Sequence, residues 1–264
     1  MNRHIYWVAV LFFLFSCGGE TENEKKVTRE LKKKLTIILV DISGSFNKPI
    51  LDKDSPFNGQ NYFELSCSHI VENYIMKSDT GSCLIVKRIS DKSFGEKNYV
   101  ATFDFSDTTL LFLETQPENP LQVRDWENRK KAKEGKASQE IASRKEKAKT
   151  NILSFQEEYK KKPSMHTDID GALHSCLGDF NNKEYKDYQK QLIIYSDLLH
   201  EPPINKANTD TLFFKNIEVL VKFVSKVGHE PQQYQKLINS WKEKLYQSKS
   251  FSTQTVEQSL KSIE

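Results

Sequence analysis

Four short apolar runs limit what this chain can fold into: LTIILV (35–40), CLIVKRI (83–89), QLIIYSD (191–197) and IEVLVKFV (217–224). Runs of this length, apolar with little alternation, suit strands covered on both faces, as in a parallel sheet. Between them apolar residues recur at helical spacing: Phe63, Cys67, Ile70, Val71 and Tyr74, with Asp79-Thr80-Gly81 as the stop. Ile169, Ala172, Leu173, Cys176, Leu177 and Phe180 form another such stripe, and Tyr234, Leu237, Ile238, Trp241 and Leu245 a third, with Pro231 at a first helical position. YVATFDF (99–105) alternates and predicts an edge strand, and Phe251–Val256 offers a sixth. Strands alternating with amphipathic helices predict an α/β fold: a doubly wound, mostly parallel sheet flanked by helices.

Residues 117–162 interrupt this rhythm. From Leu121 to Lys162 there are 13 Lys and Arg against 7 Asp and Glu, with Gly135 the only glycine and no proline before Pro163. That composition predicts a long solvated helix or a helical hairpin inserted into the body. Ile141, Ala148, Ile152, Phe155 and Tyr159 give its second half an apolar stripe able to lie on the body or on a partner.

The N-terminus has the pattern of an export signal. Arg3 precedes an apolar run from Ile5 to Phe15, too short to span a bilayer, and Ser16-Cys17 follows. Leu14-Phe15-Ser16-Cys17 resembles the lipobox of bacterial lipoproteins, which implies a lipidated Cys17 as first mature residue. The expected organisation is a signal peptide over 1–16, a Glu-, Lys- and Thr-rich tether over 17–34 and a body over 35–264. Gly18-Gly19 after the cysteine favours the outer membrane of a two-membrane cell envelope, at its periplasmic or surface face. Cys67, Cys83 and Cys176 cannot all pair and match no zinc spacing, so they read as small buried apolar side chains. A net charge of +3 does not argue for nucleic acid.

The chemistry-bearing residues gather where strands run out. Asp41, Ser43 and Ser45 follow the first run in a D-x-S-x-S spacing, Asp197 closes the run over 191–197, and Thr167 stands just ahead of a helix. In open α/β sheets the carboxyl ends of the strands line the ligand crevice. Two carboxylates and three hydroxyls are all oxygen donors, suited to a hard cation such as Mg²⁺ that keeps positions for outside ligands. Duller roles exist for each: Asp41 as a turn residue, Thr167 as a helix N-cap with Asp170 three residues on, and Asp197 as a strand-end acid.

DISGS after LTIILV, with Thr167 and Asp197 on later loops, resembles the von Willebrand factor type A domain and its metal-ion-dependent adhesion site. The resemblance covers about Leu35 to Lys249. It implies that Asp41, Ser43, Ser45, Thr167 and Asp197 hold Mg²⁺ or Mn²⁺, whose shell is completed by an acidic side chain of a protein partner. Ser164 lies close enough to Thr167 in sequence to compete for the threonine's place. Three functions are then open: metal-dependent capture of a protein, metal-assisted hydrolysis with His166 or His200 as base, and a scaffold acting through the insertion. No G-x-S-x-G, Walker, H-E-x-x-H or dinucleotide turn is present, which weighs against an enzyme.

Overall fold

The structure is a computed structural model that describes residues 33–51, 53, 56–79, 81–91, 93, 98–105, 112, 114–200, 213–223, 231–245 and 247–261. The expected signal peptide, Cys17 and the tether up to residue 32 lie outside the described residues. Among the described residues no helix is long and apolar enough to cross a membrane.

Six strands form one sheet: β1 (Lys34–Asp41), β2 (Ser82–Ile89), β3 (Tyr99–Asp104), β4 (Gln189–Tyr195), β5 (Ile217–Lys222) and β6 (Ser250–Gln254). Their order is β3-β2-β1-β4-β5-β6, with β3 the one antiparallel member and an edge. The first crossover leads from β1 outward to β2, and β4 lies on the other side of β1, so the topology switches between β1 and β4. Several expected boundaries shift: Val256, read as the end of the sixth strand, starts a helix instead, Lys34 already pairs with Ser82 and Gln189 in β1, and β4 and β5 end at Tyr195 and Lys222.

Pleating divides the strand side chains between two cores. Leu35, Ile37 and Leu39 of β1 face one, covered by α3 (Ile169–Phe180) and α4 (Pro231–Lys244). Ile38 and Val40 face the other, covered by α1 (Tyr62–Ile70), α2 (Pro120–Lys161) and α5 (Val256–Lys261). Asn61 caps α1, its Oδ1 accepting from the Glu64 N–H at 2.7 Å and its side-chain amide donating to the Glu64 carboxylate at 2.9 Å. The helix continues as a π turn over Val71–Ile75, short of the expected stop at residues 79–81. Gly81 then takes φ +97°, a left-handed turn that suits glycine, before β2. Cys67, Cys83 and Cys176 are free thiols buried in these cores.

The insertion is one helix of 42 residues, not a hairpin. Asn119 caps it by accepting from the Leu121 N–H, and Pro120 supplies the first helical φ.

Lys87 lies inside β2 at 1 % exposure, which strand patterning alone would not predict. Its Nζ is 2.5 Å from the Asp179 carboxylate on α3 and donates to Ser175 Oγ at 2.7 Å, with the Tyr99 ring 4.5 Å away. Removing the acid strands a buried ammonium, so Asp179→Ala is expected to cost about 3–5 kcal/mol in urea unfolding. Adding Lys87→Met should recover most of that loss; an Asp179→Ala protein as stable as the wild type would show that the pair contributes nothing.

Candidate metal centre

Asp41 is the last residue of β1 and is fully buried; Tyr195, opposite Val40, ends β4 two residues before Asp197. Parallel pairing of β1 with β4 therefore brings both acids to one rim at the switch point, across 156 residues of sequence spacing. Asp41 Oδ1 accepts from the Ser43 N–H at 2.8 Å, and Oδ2 accepts from Ser196 Oγ at 2.7 Å. The first bond is an Asx turn, so the turn role is real. Turning the loop back on itself brings the hydroxyls of Ser43 and Ser45 within 3.0 Å of each other.

Asp197 makes a matching turn, with Oδ1 accepting from the Leu199 N–H at 3.0 Å. Leu198 between them is held at φ +64°, a conformation that costs a bulky residue about 1–2 kcal/mol. It is held there from both sides: its N–H donates to Ser196 Oγ at 3.0 Å, and its carbonyl accepts from the Trp241 indole at 3.1 Å. Ser196 thus braces both acids. Sequence reasoning passed over it as a strand residue, although its place directly before the strand-end acid was a usable signal.

Thr167 is 3 % exposed, on the segment that leads into α3. The N-cap of α3 is Asp168, whose Oδ1 accepts from the Gly171 N–H at 2.8 Å, so the capping role considered for Thr167 belongs to its neighbour. Two sets of bonds fix this segment. Ser164 pairs with the D-x-S-x-S loop, its N–H donating to the Ile42 carbonyl at 2.8 Å and its carbonyl accepting from the Gly44 N–H at 3.1 Å. The Asp168 N–H donates to the Ser90 carbonyl at 3.1 Å. The Ser164 hydroxyl turns toward the β2–β3 loop, accepting from the Asp91 N–H at 3.0 Å and donating to the His166 carbonyl at 2.7 Å.

Asp170 is buried in the first turn of α3, where Lys244 bonds its Oδ2 and His200 Nε2 approaches the same oxygen at 3.5 Å. His200 Nδ1 accepts from the Ile169 N–H at 3.3 Å. That acceptor role puts the ring proton on Nε2, facing Asp170, and leaves no lone pair for a general base. His166 is exposed beside the rim.

Burial, and after it the Asp197 charge, pushes the Asp41 carboxyl up to about 7, against the Ser43 and Ser196 hydrogen bonds that hold it down. Two buried carboxylates that repel one another, beside a hydroxyl pair, are a donor set that fits a hard divalent cation. Among the described residues no cluster of three or more His, Cys, Asp or Glu side chains is placed to hold a metal. An ion here would therefore rest on two carboxylates and on hydroxyls.

No family model matches the sequence, and no curated protein matches it. Solved structures resemble it at low identity. One is the VWA domain of SpRpn10: 10 % identity, 84 % of this chain and 87 % of that one, TM-score 0.39. Another is proximal thread matrix protein 1 from the mussel byssus: 14 % identity, 86 % and 45 %, TM-score 0.41. A third is a variant of the PilB minor pilin from Streptococcus sanguinis: 13 % identity, 88 % and 59 %, TM-score 0.43. The chain thus spans most of the first of these and about half of the other two.

Proposed function

We propose that this is an exported, lipid-anchored binding protein of the cell envelope. In this reading Asp41, Ser43, Ser45, Thr167 and Asp197 hold one Mg²⁺ or Mn²⁺ ion and use it to capture an acidic side chain of a protein partner, in the manner of a von Willebrand factor type A domain. One observation carries it: two mutually repelling buried carboxylates, Asp41 and Asp197, meet at the switch point beside the Ser43–Ser45 hydroxyl pair. The ion would supply a positive centre able to take a further oxygen ligand. The chain's own part is to fix the oxygens. Ser196 orients Asp41, the strained Leu198 turn orients Asp197, and the Ser164 pairing ties the Thr167 segment to the serine loop.

Capture is favoured over hydrolysis because His200 spends its lone pair on the Ile169 N–H. Attachment through a lipidated Cys17, at the outer membrane, rests on Arg3, the Ile5–Phe15 run and Ser16-Cys17.

Millimolar Mg²⁺ or Mn²⁺ is expected to raise the thermal midpoint, by about 2.7 kcal/mol of stabilisation at a hundredfold excess over the dissociation constant, and EDTA to reverse it. A synthetic peptide carrying one aspartate should bind the Mg²⁺-loaded protein and be released by EDTA. A midpoint indifferent to both cations across that range would remove the metal from this protein's function.

A further inference from the structure

The parallel strands β1, β2, β4, β5 and β6 all begin at one end of the sheet, and lysines collect there. We propose that this amino end is a docking surface for anionic phospholipid headgroups, so that the body rests on the membrane with its candidate metal centre turned outward. The proposal rests on the lipid-anchored reading above and adds to it how the anchored body is oriented.

Place is the first argument. Lys33 and Lys34 lead into β1, Lys77 precedes β2, Lys183 and Lys186 lie between α3 and β4, and Lys215 and Lys249 precede β5 and β6. Backbone bonds gather these connections: the Lys34 N–H donates to the Gly81 carbonyl at 3.0 Å, the Gln189 N–H to the Lys33 carbonyl at 2.9 Å, and the Lys249 N–H to the Ile217 carbonyl at 2.9 Å. The chain enters the sheet here, so a lipid on Cys17 tethers the body by this end. Asp41 and Asp197 stand at the opposite, carboxyl end.

Charge is the second. Lys33, Lys77, Lys183, Lys186 and Lys215 have no carboxylate at ion-pair distance among the described residues. Lys34 and Lys249 share Glu218, which Lys249 meets at 2.6 Å, and Lys190 donates to the Phe180 carbonyl at 2.6 Å. The same connections hold Asp79, Glu184 and Asp187, and Asp104 ends β3 beside them, so eight lysines stand against five carboxylates. Near an anionic bilayer each lysine is worth about fivefold in binding. The surface also offers the groups that a headgroup layer accepts. Between Lys34 and Lys77 opens a cavity of about 230 Å³ that Ser78 and Ser82 also line, with Asp79 its one acid, room for a headgroup phosphate. Met76 is 42 % exposed at this end, and the Tyr185 and Tyr188 rings stand edge-on 5.2 Å apart, amphipathic side chains suited to headgroup depth.

The test uses the full chain with Cys17→Ser, which carries no lipid, and sedimentation with vesicles of phosphatidylcholine alone or with about 30 % phosphatidylglycerol. Anionic vesicles are expected to bind it about tenfold more tightly or better, an increment that high salt removes. Lys183→Glu with Lys186→Glu, both at exposed positions, should lose about tenfold or more of that affinity. Lys48→Glu with Lys162→Glu makes the same change of charge at exposed positions of the carboxyl rim and should lose less than about twofold. Lys77→Glu with Lys215→Glu, also exposed, takes the place of the first pair if that pair does not fold. No preference for anionic vesicles overturns the docking surface and leaves these lysines to an acidic protein. Equal losses from the two ends overturn it as well, because total charge then explains the binding. The mass of Cys17 in the native protein decides the lipid anchor separately: an unmodified Cys17 removes the anchor and leaves the vesicle result standing.

Discussion

In Asp41→Asn, stabilisation by Mg²⁺ is lost while the metal-free protein becomes more stable at pH 8. Asparagine keeps an oxygen to accept from the Ser43 N–H and removes the charge that Asp197 opposes. The sign follows from linkage. Asp41 titrates near 7 in the fold and near 3.8 in the unfolded chain, so the folded state holds the extra proton between those values. Its stability contribution is therefore present below about pH 4, is lost as pH rises toward 7, and is a full penalty at pH 8. Three units correspond to about 4 kcal/mol as an upper bound, and with the hydrogen bonds weakened in asparagine a net gain of about 1–3 kcal/mol is expected.

Measurement at pH 8 keeps this effect clear of His69. His69, buried and hydrogen-bonded to the Tyr195 hydroxyl at 2.6 Å, is pushed down to about 4 by burial and, after it, the Lys222 charge. It contributes stability that is whole above pH 6.5 and is lost as pH falls toward 4, opposing Asp41 over the same window. Thermal scans with and without 10 mM EDTA decide the matter. A purely structural Asp41 would make the variant less stable in both conditions, and that outcome would end the metal assignment.

The fold was legible because the strands are apolar on both faces, and the acids because they stand directly after them. Asp41 and Asp197 meet through a β1–β4 pairing whose existence the alternation of strands and helices implies. What stayed hidden depended on distant partners. Lys87 reads as the polar interruption of a strand, and only the arrival of Asp179 and Ser175 from α3 makes its burial tolerable. Ser196 acquires its role from an aspartate 155 residues earlier. Thr167 and Asp168 both suit an N-cap by composition; that Asp168 takes the role follows from how the Ser164 and Ser90 contacts set the loop. Helix and hairpin could not be separated for residues 117–162, because a lone Gly135 costs a helix only about 1 kcal/mol and does not break it.

That single helix divides into two halves with different energetics, and Phe155→Ala or Ile152→Ala is expected to destabilise the protein by about 3–5 kcal/mol while Leu121→Ala changes it by less than about 0.5. At 1.5 Å per residue α2 runs about 63 Å. Its second half is part of the core: Ala148, Ile152 and Phe155 are buried at i, i+4, i+7 spacing, and the Phe155 ring meets Phe63 of α1 edge-on at 5.3 Å. Polar bonds fasten the same half along its length, Arg144 to the Asp104 carbonyl at 2.7 Å, Lys145 to the Met76 carbonyl at 2.7 Å, and Lys160 to Glu64 at 2.5 Å. The first turns instead meet the segment just ahead of them, through Trp126 to the Glu114 carbonyl and Arg129 to the Glu114 carboxylate, and Leu121 is 87 % exposed. Deleting residues 121–160 would therefore strip the cover from the α1-side core and yield an unfolded chain. Surface charges in the first half should be replaceable at little cost. Urea unfolding of the single variants tests the division, and equal losses from Leu121→Ala and Phe155→Ala would refute it.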